Sequence, residues 1–241
     1  MNQYNVDSFL SDLEKMHIAL SREQTEQFLT YYELLVEWNS FMNLTAITEY
    51  QDVMKKHFVD SLSLHTIMDL HQPLSVIDVG TGAGFPGLAL KIAFPELKVT
   101  LLDSLNKRVT FLNTVIEKLG LSGIKAVHGR AEDYVKQGNV REQFDLCVSR
   151  AVSNLATLSE YCMPYVKVGG KFIPYKSEKI HEEIAEAGKA ITILGGQMTE
   201  LIEFHLPDSD LYRCFPVIEK KKETPKKYPR KAGLPTKEPI K

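Results

Sequence analysis

The chain has 241 residues, 44% of them hydrophobic and 25% charged, with a formal net charge of −2. These proportions exclude a disordered or fibrous protein, and the length suits one α/β domain with an appendage. No apolar run is long enough to span a bilayer, the N-terminus lacks a signal-peptide core, and Cys147, Cys162 and Cys214 follow no CxxC spacing. A membrane partner, a disulfide scaffold and a zinc site are therefore not expected, and a monomer in a reducing cytoplasm fits.

Residues 1–70 read as a helical cap. Ser21 and Gln24 have capping-box spacing, and Phe28, Tyr32 and Leu35 follow at i, i+4 and i+7. The periodicity breaks between Asn39 and Thr48 and resumes through Val53, Phe58 and Leu62. His57 and Ser61, four apart, share a face of that third helix. With Asn43 they either border a cleft or serve structure alone.

From Leu74 strands and helices alternate. The stretch Leu74-Ser-Val-Ile-Asp78-Val-Gly80-Thr-Gly82-Ala-Gly84-Phe85 predicts a buried strand that ends in an acid and turns through three alternating glycines. Glycine permits a positive φ and lets a ligand lie against the main chain. Pro86 suits the first turn of a helix over 86–94, whose free N–H groups face that ligand. A strand over 98–102 leads to Asp103, about 20 residues past the turn, the offset at which an acid meets a ribose hydroxyl.

A helix carrying Phe111, Leu112, Val115 and Leu119 closes at Gly120. Strands follow over 124–128, 144–148 and 171–175, the last after a helix over 155–166 and the pair Gly169-Gly170. A helix over 180–193 precedes extended runs over 198–205 and 211–218. The alternation predicts a doubly wound, mostly parallel sheet over residues 71–218, with the last two runs forming a hairpin. Pro174 has no N–H to give to a ladder, which predicts a bulge or strand end there.

Two ligand classes compete for the turn. Read as Gly82-Ala-Gly84-Phe85-Pro86-Gly87, it gives the GxGxxG of a dinucleotide binder. A strand ending at Val79 instead opens the turn at Gly80, in a GxGxG frame. Asp78 is out of place beside a pyrophosphate and suits a cationic aminoacyl sulfonium, which points to S-adenosyl-L-methionine (AdoMet). Gly80, Gly82, Gly84, Phe85 and Asp103 are its candidate contacts. Arg150 lies past the fourth strand, at the C-terminal edge where open α/β sheets bind ligands, and is a candidate positioning group.

The fourth strand lacks the Asn/Asp-Pro-Pro-aromatic turn common in enzymes that methylate exocyclic amines. Cys147 lies mid-strand, wrongly placed for a cytosine-attacking nucleophile. A ring-nitrogen target survives, a lone pair that needs no general base, and the sequence shows no metal-ligand cluster, so no metal is expected.

Residues 219–241 hold nine Lys or Arg against three acids, a balance of +6 that leaves −8 on residues 1–218. Lys226, Lys227, Tyr228, Arg230 and Lys231 are candidate RNA contacts on an extended, proline-rich arm. The alternative is a solubilising tail. Removing an RNA arm is expected to leave cofactor affinity nearly intact.

The motif Asp78-Val-Gly80-Thr-Gly82-Ala-Gly84-Phe85-Pro86-Gly87 resembles the first motif of class I methyltransferases. In detail it is similar to the glucose-inhibited division protein B family, also called ribosomal RNA small subunit methyltransferase G. Trp38-Asn39, Asn43-Leu-Thr45, His57-Phe58-Val-Asp60-Ser61, Asp103-Ser-Leu-Asn106-Lys107-Arg108, Arg130-Ala131-Glu132, Ser149-Arg150-Ala151-Val152 and the segment from Pro225 to Gly233 match in order. The resemblance implies a seven-stranded class I sheet and AdoMet-dependent N7 methylation of a guanosine in the 530 loop of bacterial 16S rRNA or the small ribosomal subunit. It also implies that Gly80 and Phe85 line the cofactor, Ala131 and Glu132 its adenosine half, and Arg150 the far side. The rival readings are an NAD-dependent oxidoreductase and a non-catalytic RNA-binding ribosome-assembly factor.

Overall fold

The computed structural model describes residues 4–137 and 139–240. After α1 (Asp7–Lys15), Ser21 starts α2 (Arg22–Met42) with a complete capping box: Gln24 N–H donates to its hydroxyl, and its own N–H donates to Gln24 Oε1. The same Gln24 side chain donates to the carbonyls of Ile92 and Ala93, and Gln27 donates to Leu119 O. One helix thus satisfies the otherwise unpaired C-terminal carbonyls of two others. The third N-terminal helix is composite. It runs through α3 (Tyr50–Val53), a π-helical turn (Met54–Val59), α4 (Asp60–Leu62) and a 3₁₀ turn (Ser63–Thr66).

The sheet then forms from β1 (Ser75–Val79), β2 (Lys98–Asp103), β3 (Ile124–His128), β4 (Phe144–Arg150), β5 (Val166–Tyr175), β6 (Gly196–His205) and β7 (Tyr212–Lys220). Its order is β3-β2-β1-β4-β5-β7-β6, with only β7 antiparallel to its neighbours. Connecting helices are α5 (Gly87–Ala93), α6 (Asn106–Lys118), α7 (Ala131–Tyr134), α8 (Leu155–Cys162) and α9 (Ile180–Ile193). The expected hairpin and its single reversed strand are present.

Alternation along β1 divides the interior in two. Val76 joins Phe28, Tyr31, Leu35 and Phe58 of the N-terminal helices, whereas Ile77 packs with Leu155, Met163, Ile191 and Ile218 on the other face. Residues up to 70 therefore share a core with the sheet rather than covering it from outside.

Pro174 does not break its strand. It lies in register opposite Ser149, and the irregularity in the β4–β5 pairing falls between Phe144 and Leu146. Strand β5 pairs with β7 only at Lys171 and Phe172 before an isolated bridge at Lys176. The missing N–H of Pro174 falls in that gap in the second ladder, so nothing is lost there.

The expected extended arm is also corrected. The sheet continues to Lys220, whose fully buried ammonium donates to Met163 O, Thr224 Oγ1 and the Glu142 carboxylate at 2.6–2.9 Å. Arg141 donates to the carbonyls of Thr224 and Tyr228, and Arg230 grips both oxygens of Glu160 at 2.6–3.1 Å. A short helix, α10 (Leu234–Lys237), then lies against α8. Buried Glu160 needs a cation, and Arg230 supplies it. Arg230→Ala is expected to lower the unfolding free energy by about 2–3 kcal/mol, near the lower end for breaking a buried pair. Urea denaturation measures it, and an unchanged midpoint would show that the pair does not hold the segment.

Candidate active site

The glycine turn is held from beneath by two acids. Asp78 Oδ2 accepts from Thr81 Oγ1 (2.6 Å) and Gly87 N–H (2.8 Å). Asp103 Oδ2 accepts from Gly82 N–H (2.9 Å), and its Oδ1 accepts from Leu105 N–H. Tyr31 Oη donates to Ala83 O at 2.5 Å, pinning the turn from the side of α2. Gly84, at φ +101°, has no room for a side chain, because a Cβ would stand 2.6 Å from Tyr31 Oη. Gly82, at φ +62°, has no neighbour within 4 Å on that side, so its backbone faces open space.

Two cavities flank this turn, and Gly80 lines both. The larger, about 640 Å³, is walled by Thr45, Lys56, His57, Gly82, Phe85 and Arg150 among others. The smaller, about 270 Å³, lies over the ends of β1–β4 and is walled by Gly80, Ser104, Arg130, Ala131, Glu132 and Val152, with Tyr161, Gly233 and Thr236 opposite. Of the residues expected on the ligand, Gly80, Gly82, Phe85 and Arg150 reach the larger cavity, and Gly80, Ala131 and Glu132 the smaller. Asp78, Gly84 and Asp103 belong to neither wall. Asp78 is turned inward, where its Oδ1 has no partner among the described residues. Burial outweighs its two hydrogen bonds and raises its pKa to about 6.

The far wall is a layer of aromatic and cationic groups. Phe85, only 6% exposed, stacks with Tyr31 at 5.4 Å and with His57 at 4.5 Å. The Arg150 guanidinium lies 5.1 Å from the Phe85 centroid and donates to Asp60 Oδ2 (2.9 Å), while Arg213 donates to Asp60 Oδ1 (2.8 Å). Arg150 Nη2 is 3.4 Å from His57 Nδ1. A guanidinium only donates, so Nδ1 accepts and Nε2 carries the hydrogen towards Thr45 Oγ1 at 2.8 Å. Burial and the Arg150 charge lower the His57 pKa to about 3, leaving the ring neutral. Thr45 Oγ1 also accepts from Ile47 N–H (3.0 Å), which leaves its own hydrogen to be donated.

Lys56, His57 and Asp60, at i, i+1 and i+4 on the third helix, reach the wall, whereas Ser61 is buried and Asn43 stays off it. Thr45 and Asp60 carried a signal in the Asn-Leu-Thr and His-Phe-Val-Asp motifs. Lys176 and Arg213 carried none, since strand ends far along the chain deliver them. Of the five candidate RNA contacts, Lys226, Lys227 and Lys231 are exposed, Tyr228 is half-buried, and Arg230 is bound to Glu160. None of the five lines either cavity. Among the described residues, no three His, Cys, Asp or Glu side chains gather as metal ligands, and no helix is long and apolar enough to cross a membrane.

The sheet order and the turn at the end of β1 define a class I methyltransferase fold. Solved structures share it at low identity. A SAM-dependent methyltransferase from Aquifex aeolicus aligns with TM-score 0.54 and 19% identity over 73% of this chain and 95% of its own. M. jannaschii TYW2 in complex with AdoMet aligns with TM-score 0.50 and 14% identity over 62% and 70%. The family model described as rRNA small subunit methyltransferase G matches residues 24–212. Proteins named ribosomal RNA small subunit methyltransferase G are close relatives. That of Lachnoclostridium phytofermentans is 54% identical over 97% of this chain and 96% of its own. That of Lactococcus lactis subsp. cremoris is 52% identical over 98% and 99%. The chain belongs to the rRNA small subunit methyltransferase G family.

The raised Asp78 pKa has a signed consequence. Its contribution to stability is complete below the unfolded value of 3.8 and is lost as pH rises through about 6. Asp78→Asn removes that loss, so the variant should gain on the wild type between about pH 4 and 8. Urea unfolding at both ends of that range tests this, and a pH-independent gap would contradict it.

Proposed function

We propose that the cleft binds AdoMet along the C-terminal edge of β1–β4 and directs its methyl group to N7 of a guanine in the 530 loop of 16S rRNA. The chain fits such a donor. The open backbone at Gly82 admits a ligand against the turn, and Gly80 gives it continuity between the two cavities. Ala131 and Glu132 would flank the nucleoside half, and Phe85 and Arg150 the opposite end. When bound, AdoMet supplies a methyl carbon activated by a neighbouring sulfonium.

The observation that carries the choice of target is the proton inventory of the larger cavity. His57 is neutral, with both ring nitrogens engaged by Arg150 and Thr45. Asp60 is held by two guanidiniums. Glu183 on the same wall is held by Lys176 and the Leu155 N–H, and exposed Glu178 is the remaining carboxylate there. The three held groups are not poised to take a proton, which suits guanine N7, a lone pair with no proton to remove. The chain would then contribute alignment and exclusion of water. Arg150 would act as a positioning group, with its place fixed by Asp60 and Phe85. The spare hydrogen of Thr45 suits guanine O6, since a donor aimed at N7 would tie up the attacking lone pair. Exposed Lys221, Lys222, Lys226, Lys227 and Lys231 would offer phosphate contacts outside the walls of the two cavities.

Incubation with labelled AdoMet and deproteinised 16S rRNA, followed by mapping of the modified nucleotide and atom, tests the reading. Label on an exocyclic amine, or no label together with stabilisation by NAD, would overturn it. With no proton to remove from N7, turnover should stay within about twofold between pH 6 and 9. Arg150→Lys should lower it by about a hundredfold through misplacement of the reactants.

A further inference from the structure

We infer that the segment after Arg230 is the outer wall of the nucleoside subsite, where the hydroxyls of Tyr161 and Thr236 read the 6-amino edge of adenine. This rests on the proposed use of AdoMet. It assigns to the C-terminus a role in cofactor recognition, in place of the RNA-only role that its charge suggests.

The smaller cavity has an inner wall made by the ends of four strands and an outer wall made by Tyr161, Gly233 and Thr236. Without the last segment, that side would open to solvent. The segment is anchored on both sides of the cavity. Arg230 binds Glu160 on α8, its neighbouring turn accepts from Thr157 Oγ1 at Pro235 O (3.1 Å), and Gly233 N–H donates to Glu132 Oε1 (3.0 Å). Glu132 is 5% exposed, so its carboxylate is committed to the segment and ties it to the first turn of α7. Glu132 thus shapes the subsite through Gly233 as well as by lining it.

The polar groups on that outer wall are few. Tyr161 Oη and Thr236 Oγ1 are 2.7 Å apart, so one donates to the other. The pair keeps one free hydrogen and unused lone pairs. The 6-amino edge of adenine presents an N–H donor beside the N1 acceptor, and such a pair can meet both. The corresponding carbonyl of Ala131, on the inner side, already accepts from Tyr165 Oη (2.6 Å).

The test uses calorimetry on the full chain with two ligands: S-adenosyl-L-homocysteine and its analogue lacking the 6-amino group. Thr236→Val and Tyr161→Phe remove one hydroxyl each at nearly constant shape. Each should weaken S-adenosyl-L-homocysteine about three- to tenfold, the loss that goes with one hydrogen bond, and weaken the deamino analogue, which keeps only the N1 acceptor, by clearly less. Deletion of residues 231–241 retains the Lys220 and Arg230 anchors and should weaken both ligands by about tenfold or more. Affinity for a 16S rRNA fragment, measured at fixed salt, should be unchanged in the two point variants, which alter no charge. Wild type that binds S-adenosyl-L-homocysteine while all three variants bind it equally well would overturn the outer wall and leave the AdoMet reading intact. Wild type that binds neither ligand would overturn both. Equal weakening of the two ligands in the point variants would refute the reading of the amino edge.

Discussion

Two buried carboxylates shape the turn on which the rest of the cleft depends. Asp78 takes the hydroxyl of Thr81 and the first N–H of α5, and Asp103 takes the N–H groups of Gly82 and Leu105. A tight turn through left-handed conformations leaves backbone donors that no helix or strand can satisfy. Acids beneath the turn satisfy them from the core side, which frees the outer side of the backbone for a ligand. Desolvation of Asp78 is the cost, and its orphan oxygen marks where that cost is felt.

The N-terminal helices complete the cleft rather than merely covering a sheet. Tyr31, Phe85, His57 and Arg150 form one layer, and Asp60 joins it to Arg213 on β7. That layer gathers residues from α2, the π turn, the glycine turn and two strands. It is dry enough to hold a histidine neutral and its hydrogen fixed. The side chains facing the larger cavity are thereby oriented before any substrate arrives, which is what an alignment-driven displacement requires.

Much of the scaffold was legible because it depends on short-range rules. Apolar runs placed the strands, an i, i+4, i+7 stripe placed α2, and the glycine frame located the turn. What the sequence hides is set by long-range partners. A strand-end acid looks the same whether it faces outward or inward, so nothing local says that Asp78 and Asp103 turn beneath the glycines. Pro174 looked disruptive because the gap in the β5–β7 ladder has no local signature. Nothing local pairs Lys220 and Arg230 with their acids, Glu142 and Glu160, which lie far back in the chain.

Strand β6 touches the sheet through β7 alone, and β7 inserts between β6 and β5. During synthesis the chain emerges N-terminus first, so helices α1–α9 and five parallel strands can assemble while this edge is still missing. Strand β6 has nothing to pair with until β7 follows, and the stretch from Pro225 onward can dock only after Lys220 is seated. The small cavity is thus completed by a part of the chain that is made after the whole sheet.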